Sequence, residues 1–363
     1  MREMNISIYI LAGGIGSRFW PKSRQKSPKQ FIDILGTGKS LIQMTYERFK
    51  YDFIPENIHI ITNEDYKELT EQQLPEINPD NIILEPFRRN TAPCILYSAI
   101  KQIRENPDSI LIYVPSDHLI MNTGIFIKDT KDAVNFAINN KAIVTLGISP
   151  KRPDTGYGYI KYSKSTNNTF KTVHKITSFK EKPTIEIATE YLNSGEYLWN
   201  AGIFIAKASV IIDSFRTHCP ILLDKFESIQ INNNETELDY LKRVYLDLPN
   251  ISFDYAISEK ANNIYTIKSN IDWSDLGTWN SLYHVSENKD SDGNFISGQN
   301  IKLYNTKGCI IHSNNNRLLI IKGLSDYIVA ENNEVTLIYP RSEEQQIKDV
   351  QNQLEIENLD KYI

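Results

Sequence analysis

The sequence predicts an α/β fold: a Rossmann-like, mostly parallel sheet flanked by helices, followed by a small C-terminal β domain resembling a β-helix or β-roll. Over the first 150 residues, short runs that are apolar at nearly every position alternate with longer amphipathic segments. Such runs are typical of strands that are buried on both faces of a sheet. After residue 295 the segments become short and β-rich, and Asn and Gly separate them. This second pattern is typical of a small all-β domain.

The first region contains five predicted strands. They cover residues 6–12, 58–63, 81–86, 109–118 and 142–149. Helical patterns lie between them, for instance those that start at Ser40 and Thr91. Because parallel strands need crossover connections, this alternation predicts a sheet covered by helices. Ligands of such sheets bind at the carboxyl ends of the strands, so residues that follow a strand are candidates for a site.

Residues 151 to about 285 break this alternation with turn-rich segments. We expect there an antiparallel insertion, together with helices laid over the first sheet. The predicted domains are therefore a large one at 1–285 and a C-terminal β domain at 286–363 that ends in a helical tail. No residue-level repeat decides between a solenoid and a β-roll.

Composition excludes several classes of protein. The 40 Lys and Arg residues stand against 45 Asp and Glu, a net charge of −5, which excludes a large basic surface for sequence-independent nucleic-acid binding. No apolar run approaches the ~20 residues that a membrane helix needs.

Cys94, Cys219 and Cys309 lie too far apart for a disulfide framework or a Cys-x-x-Cys pair. The N-terminal apolar run continues into a glycine turn without a cleavage site, which argues against a signal peptide. We therefore expect a soluble protein of the reducing cytoplasm.

The strongest local motif is a glycine turn that follows the first predicted strand. Gly13, Gly14 and Gly16 have no side chains, so backbone N–H groups there can approach a polyphosphate. The segment also concentrates positive charge beside the turn, in Arg18, Lys22, Arg24, Lys26 and Lys29. The net acidity of the chain thus conceals a local site suited to an anion.

Two familiar phosphate motifs are excluded at this turn. Phe19 stands where the dinucleotide fingerprint needs its third glycine, and a bulky ring prevents the close helix–strand contact. Asp33 stands where a Walker A motif ending in Gly38, Lys39 and Ser40 needs its first glycine. The turn therefore belongs to another class of phosphate site.

Two aspartates occupy positions that packing does not explain. Asp117 ends an apolar strand, and Asp275 lies between aromatic residues and a glycine. The six histidines show no metal-ligand spacing, so a divalent cation would need oxygen ligands. Mg²⁺ is held by one or two protein carboxylates together with phosphate oxygens, which is this arrangement if the two loops converge. Sequence spacing leaves their convergence open.

Further polar residues follow other predicted strands. Glu85 lies at the end of the predicted strand 81–86. The helix after it begins with Asn90 or Thr91 as its cap. Glu181 and Lys182 occupy adjacent positions at a strand end, so their side chains are expected to point to opposite sides, with an exposed ion pair as the alternative.

Eight segments, in order, resemble the motifs of sugar-1-phosphate nucleotidylyltransferases, and the first resembles the mannose-1-phosphate guanylyltransferases in particular. They are LAGGIGSRFWPKSRQKSPKQF, EPFRRNTAP, PSDH, TGYGYI, FKEKP, WNAGIF, FDYAISE and WSDLGTW. The resemblance covers the whole chain and implies a fold like that of the nucleotidyltransferase type A domain. Phe19 departs from the usual leucine of the family. From the length we expect that the isomerase domain fused to some relatives is absent.

The resemblance also implies roles for individual residues. The nucleotide-binding residues would be Leu11, Ala12, Gly13, Gly14, Gly16, Ser17, Arg18, Lys29, Glu85, Asn90, Thr91 and Asp117. The sugar-phosphate-binding residues would be Gly156, Tyr157, Gly158, Glu181, Lys182, Asn200 and Gly202. The catalytic residues would be Arg18, Lys29, Asp117, Lys182 and Asp275. Asp117 and Asp275 would hold Mg²⁺. A sugar phosphate is already ionised at pH 7, so no general base is needed, and His118 and His174 are interpreted as structural.

The implied reaction is transfer of GMP from GTP to mannose 1-phosphate, which gives GDP-mannose and pyrophosphate. Three alternatives remain: the same chemistry on another sugar phosphate or nucleotide, a non-catalytic regulatory subunit that binds nucleotide sugars, and an NAD-dependent dehydrogenase. We expect no nucleic-acid or membrane partner, and the apolar strands of the C-terminal domain suggest a homodimer.

Overall fold

The computed structural model describes residues 5–164, 172–229, 235–314 and 316–363. Residues 1–4, on which the argument against a signal peptide partly rests, lie outside the described residues. The chain divides into two compact units, each assembled from separate stretches of sequence. The first comprises Met1–Gly13, Gln43–Ser116 and Ile120–Trp273, and the second comprises Gly14–Ile42, Asp117–Leu119 and Ser274–Ile363. A domain boundary near residue 285 stays a prediction.

The first unit is built on a nine-stranded sheet. The strands up to residue 274 are β1 (Ile6–Leu11), β2 (Ile58–Asn63), β3 (Ile82–Glu85), β4 (Ile110–Pro115), β5 (Leu119–Ile120), β6 (Ile143–Ile148), β7 (Tyr159–Tyr162), β8 (Val173–Lys180), β9 (Tyr197–Lys207), β10 (Ile264–Ser269) and β11 (Trp273–Ser274). The two-residue strands β5 and β11 lie outside this sheet. The five strands predicted from apolar runs correspond to β1, β2, β3, β4 and β6.

The sheet is parallel on one side and mixed on the other. Its order is β3-β2-β1-β4-β9-β6-β10-β8-β7. Strands β3, β2, β1 and β4 are parallel, as are β6 and β10, whereas β9 is antiparallel to both β4 and β6. The Rossmann-like core is thus confirmed. The antiparallel insertion expected in residues 151 to about 285 is present, since β9 is antiparallel to both of its neighbours. Most side chains of β9 are buried on both faces, so this strand lies within the sheet itself.

Helices cover the sheet of the first unit, as predicted. The helices of the chain are α1 (Leu41–Lys50), α2 (Lys67–Gln73), α3 (Thr91–Glu105), α4 (Thr123–Asn139), α5 (Ile185–Ser194), α6 (Ala208–His218), α7 (Pro220–Ser228), α8 (Glu237–Tyr245), α9 (Trp279–Val285) and α10 (Ile347–Ile356). A five-residue π-helix covers Asp254–Ser258. An extensive core cluster joins α3, α6 and the sheet around Phe204, Phe215 and Phe253.

Two expectations from composition can be compared with this fold. Within the described residues, no helix combines the length and apolar character needed to cross a bilayer. The three cysteines form no disulfide, and Cys94 and Cys309 are buried.

The second unit contains a short parallel β-helix. Its strands are β12 (Phe295–Ser297), β13 (Ile301–Tyr304), β14 (Ile310–Ser313), β15 (Leu319–Lys322), β16 (Tyr327–Glu331) and β17 (Thr336–Pro340). Strands β12, β14 and β16 stack in parallel, β13 pairs with β15 in parallel, and β17 closes the larger sheet in the antiparallel sense. Ile310 faces Phe295 on one neighbouring strand and Ile328 on the other, so the successive coils take 15 and 18 residues.

The glycine-rich segment belongs to the same compact unit as this β-helix. Asn332 Nδ2 donates to the carbonyl oxygen of Pro21 at 2.7 Å, and Arg24 Nη2 donates to Asn332 Oδ1 at 2.8 Å. The indole N–H of Trp20 donates to the carbonyl of Tyr362 at 2.7 Å. The loop is therefore held by the C-terminal part of the chain, which the sequence did not predict.

Candidate functional site

A left-handed glycine shapes the loop after β1. Gly16 has φ +71° and precedes a short 3₁₀ helix over Ser17–Phe19. A Cβ at Gly16 would collide with the side chain of Lys29. Glycine is therefore required twice here, by its backbone conformation and by its close approach to the lysine. The loop can bend sharply while Lys29 lies directly against its backbone.

Lys29 connects the two aspartates that the sequence placed in separate loops. Its Nζ donates to Asp117 Oδ2 at 2.7 Å and to the carbonyl oxygen of Asp275 at 2.5 Å. The lysine is buried. The Asp117 and Asp275 loops thus converge, which spacing alone had left open.

These residues surround a cavity of about 250 Å³ in the second unit. Its walls are formed by Gly16, Ser17, Arg18, Lys29, Asp117, His118, Asp275 and Gly277. The cavity combines two cations, two carboxylates and a glycine-rich backbone. This is a composition suited to a polyphosphate and a divalent cation.

The pKa of the Asp117 carboxyl is lowered within this cavity. Burial would raise the pKa of its carboxyl, but the ammonium of Lys29 and the nearby His118 outweigh that effect and lower the pKa below its ordinary value. His118 Nε2 lies 4.0 Å from Asp117 Oδ1. Asp117 is therefore ionised at neutral pH, and His118, interpreted as structural from the sequence, lines the cavity.

The carboxylates of Asp117 and Asp275 fit a magnesium ion that is also bound by phosphate oxygens. Asp275 Oδ1 accepts a hydrogen bond from the backbone N–H of Gly277 at 2.9 Å, which fixes the carboxylate. Across the described ranges, no three Asp, Glu, His or Cys side chains cluster as a metal cage would require. Two carboxylates without a cage is the usual protein contribution to Mg²⁺ when phosphate oxygens and water supply the other ligands.

Glu85 lies in the first unit, at the end of β3. Its Oε1 accepts a hydrogen bond from the Tyr245 hydroxyl at 3.0 Å. A Cβ at Gly13 would stand 3.3 Å from its Oε2, so the lack of a side chain there avoids crowding that oxygen. Burial raises the pKa of Glu85 to about 8, although the bond from Tyr245 opposes this. Tyr245, which the sequence did not single out, is thus part of the surroundings of Glu85.

At the start of α3, the two candidate caps Asn90 and Thr91 have different hydrogen-bond partners. Asn90, with φ +64°, is the cap, and its side chain accepts a hydrogen bond from the N–H of Thr91 at 2.9 Å. The hydroxyl of Thr91 instead accepts from the N–H of Phe253 at 2.9 Å. Thr91 therefore connects the start of α3 to the segment that precedes the π-helix.

A second charged cluster of the first unit follows β8. Lys182 Nζ donates to Glu181 Oε1 at 2.7 Å. The expectation that these side chains point to opposite sides is wrong, because β8 ends at Lys180 and Lys182 has φ +45°, so strand alternation no longer applies. Burial alone would lower the pKa of Lys182, but Glu181 raises it above its ordinary value. The ammonium is therefore charged at neutral pH.

Glycines make room for this cluster. A Cβ at Gly158 would stand 2.5 Å from Glu181 Oε2. Gly156 donates its N–H to Asp154 Oδ1 at 2.8 Å, within the turn that precedes β7. Tyr157 packs edge-on against Trp199, with ring centroids 4.9 Å apart. The TGYGYI motif is thus a turn and strand start in which Gly158 approaches Glu181.

Asn200 is fixed by hydrogen bonds on both sides of its amide. Its Oδ1 accepts from the Thr145 hydroxyl at 2.8 Å, and its Nδ2 donates to Asp254 Oδ1 at 2.8 Å. Gly202, with φ +68°, lies where the register between β9 and β6 shifts. Such a bulge redirects side chains near it, and here it lies two residues from Asn200. Asp254 belongs to the FDYAISE motif, to which the sequence analysis assigned no role.

Comparison with known proteins gives concordant matches. A sequence profile of the nucleotidyl transferase family matches residues 8–292. A putative mannose-1-phosphate guanylyltransferase of Vibrio cholerae is 36% identical over 359 residues, which are 97% of this chain and 75% of that protein. A mannose-1-phosphate guanylyltransferase of Salmonella montevideo is 34% identical over 99% of this chain and 76% of its own length.

A solved structure is similar over nearly the whole fold. It is described as a mannose-1-phosphate geranyltransferase from Thermus thermophilus, and it superposes with a TM-score of 0.84 at 28% identity. The match covers 97% of this chain and 100% of the other. The similarity therefore includes both the sheet of the first unit and the β-helix of the second.

Proposed function

This chain belongs to the nucleotidyl transferase family and groups with its mannose-1-phosphate guanylyltransferases. From this premise we propose that it transfers GMP from GTP to α-D-mannose 1-phosphate. The products would be GDP-mannose and pyrophosphate. The observation that carries the proposal is the cavity in which Arg18, Lys29, Asp117 and Asp275 surround the glycine loop. A binding protein for an uncharged ligand would not need this concentration of opposed charges.

The reaction is a displacement at phosphorus. A phosphate oxygen of the sugar phosphate forms a bond to the α-phosphorus of GTP, and the bond from that phosphorus to the β-phosphate bridging oxygen breaks. The electron pair of the broken bond leaves with pyrophosphate. Because the attacking oxygen is already ionised, no side chain needs to remove a proton. The main obstacles are repulsion between two anions and their alignment.

The residues of the second unit would reduce the charge on the nucleotide. Arg18 and Lys29 would bind the phosphates that leave as pyrophosphate, and the backbone around Gly14 and Gly16 would approach them closely. Mg²⁺, when held by Asp117 and Asp275, would supply further neutralisation of phosphate charge. Ser17 lies in the same wall of the cavity and can contribute its hydroxyl.

The residues of the first unit would select the two substrates. Glu85 would accept from the two donors of the guanine edge, next to Leu11, Ala12 and Gly13. Lys182 would bind the phosphate of the sugar phosphate, and Glu181 and Asn200 would bind its hydroxyl groups. The charged Lys182 and the fixed amide of Asn200 support this assignment.

The experiment is a measurement of pyrophosphate release. Purified protein is incubated with GTP and mannose 1-phosphate, with and without Mg²⁺, and in parallel with other nucleoside triphosphates and with glucose and fucose 1-phosphates. We expect the fastest release with GTP and mannose 1-phosphate, and only in the presence of the metal. A faster rate with another pair would reassign the substrates. A lack of release with every pair would favour the regulatory subunit and overturn the proposal.

A further inference from the structure

A half-buried acidic residue beside Asn200 has no role in the reaction as proposed so far. Asp254 Oδ1 accepts the hydrogen bond from Asn200 Nδ2 at 2.8 Å, and Asn200 Oδ1 in turn accepts from Thr145 at 2.8 Å. Thr145 and Asn200 are both buried. The chain of three side chains fixes which way the Asn200 amide points. Because a carboxylate has several acceptor positions, Asp254 can still accept a further hydrogen bond.

The electrostatic surroundings of Asp254 are unfavourable for a purely structural carboxylate. Desolvation raises the pKa of Asp254, and the charge of the nearby Glu181 raises it further, to about 7. Lys182 opposes the shift. Two acidic side chains and one lysine thus share a small region around Asn200. Such an accumulation of like charge is costly in a folded protein and is concentrated at functional sites.

The local backbone is also unusual. Asp254 is the first residue of the five-residue π-helix, and this helix follows directly on Phe253, whose N–H donates to Thr91 at 2.9 Å. π-Helical turns are rare and occur frequently at functional sites. The turn places Asp254 next to Asn200, while Ala256 and Ile257 of the same turn are buried in the core.

We propose that Asp254 is a specificity-determining residue of the sugar-phosphate site, whose carboxylate accepts a hydrogen bond from a sugar hydroxyl while it holds the amide of Asn200. The inference rests on the proposed function and deepens it, because it adds an acidic acceptor to the groups that recognise the sugar. Asn200 contributes a donor and an acceptor, and Lys182 contributes a charge for the phosphate. Asp254 contributes an acceptor for a sugar hydroxyl, so a deoxy sugar would lose that hydrogen bond.

The test compares hydroxyl groups one at a time. Mannose 1-phosphate and its 2-, 3-, 4- and 6-deoxy derivatives are assayed with GTP by pyrophosphate release, using the wild type, Asp254→Ala and Asp254→Asn. In the wild type, kcat/KM should fall roughly ten- to hundredfold for at least one deoxy compound, as expected for a lost bond to a charged group. In Asp254→Ala the penalty for one such compound should disappear, while the KM for GTP changes by less than about threefold.

Two controls separate this role from a structural one. Asp247→Ala removes an exposed carboxylate of the same unit and should leave every penalty unchanged. Asp254→Asn keeps the shape of the side chain but loses its charge, so it should weaken the discrimination even if the alanine variant does not fold. GTP binding measured by calorimetry shows which variants are folded.

The outcomes are distinct. Identical penalties in the wild type and in a folded Asp254 variant, for every deoxy compound, would overturn the inference and leave the proposed function intact. Absence of turnover by the wild type with any sugar phosphate would overturn the proposed function, and the inference with it.

Discussion

The ammonium of Lys29 lies 2.7 Å from Oδ2 of Asp117, and 3% of the lysine side chain is exposed compared with 32% of the aspartate side chain. The lysine is therefore the more buried partner of this pair, although both side chains line the cavity. A bound phosphate or metal would change the surroundings of both groups.

Lys29→Met should destabilise the protein more at pH 7 than at pH 3. In the wild type the folded-state pKa of Asp117 is lowered, so its stabilising contribution is present above the unfolded pKa of about 3.9 and is lost as the pH falls through the folded value. Without Lys29, burial raises that pKa instead, and the carboxylate becomes unfavourable at pH 7. We expect a loss of about 1–3 kcal/mol at pH 7, measured by urea denaturation.

The control for this variant is Lys26→Met, which removes an exposed lysine from the same loop. A loss of stability in Lys29→Met that is equal at the two pH values would show that the pairing with Asp117 is not its cause.

Asp275→Ala should reduce turnover by roughly a thousandfold at saturating Mg²⁺, because a metal ligand worth ~4 kcal/mol in the transition state corresponds to that factor. Pyrophosphate release measures it. Asp292→Ala, an exposed aspartate of the same unit, should turn over normally. Near-normal turnover in Asp275→Ala would remove this residue from the metal site.

Glu85 should make the binding of guanine nucleotides dependent on pH. Its pKa of about 8 means that the free protein carries a neutral carboxyl at pH 6, whereas acceptance from two guanine donors needs the charged form. The dissociation constant of GDP-mannose should therefore decrease by up to about tenfold per pH unit between pH 6 and pH 8. GDP-mannose is the appropriate ligand because its diphosphate does not titrate in this range.

Glu85→Gln should bind GDP-mannose more weakly and with a shallower slope, because only the dependence contributed by Asp254, with its pKa of about 7, remains. Glu68→Gln, an exposed change on α2, should retain the full slope. Calorimetry at a series of pH values distinguishes the two. A flat profile in the wild type would contradict the role assigned to Glu85.

Asn332→Ala should raise the KM for GTP. The change removes the bond to the Pro21 carbonyl and the acceptor for Arg24, both on the segment that carries Arg18 and Lys29. It should also destabilise the protein by about 2–4 kcal/mol, because the side chain additionally accepts from the backbone N–H groups of Glu334 and Val335, so four hydrogen bonds are lost. Steady-state kinetics and thermal unfolding measure the two effects, with Asn193→Ala on the exposed side of α5 as the control. A lowered melting temperature with an unchanged KM would mean that the anchor is structural only.

Local patterns predicted much of the fold. The apolar runs identified β1, β2, β3, β4 and β6 because strands buried on both faces have a distinctive composition. They did not reveal the place of β9, since pairing of β9 with β4 and β6 depends on contacts between residues that are distant in sequence. The membership of the glycine loop in the same unit as the β-helix was missed for the same reason.

The candidate site was likewise predicted only in part. The sequence singled out Asp117 and Asp275 as carboxylates without a packing role, but only the fold brings both to Lys29. It placed Glu181 and Lys182 on opposite sides, because a positive φ after the end of a strand has no clear signal at a lysine. Asp254 was visible as an acid within a recognised motif, and its hydrogen bond to Asn200 is what distinguishes it.

The antiparallel placement of β9 has a consequence for biosynthesis. As the chain leaves the ribosome, β4 and β6 are complete by residue 148, yet the strand that separates them ends at residue 207. Because translation adds roughly 5–20 residues per second, several seconds pass between the completion of β6 and the completion of β9. During that interval the edges of β4 and β6 can pair with each other or with a neighbouring chain. Nascent chains stalled before residue 197 should therefore be the ones that chaperones retain.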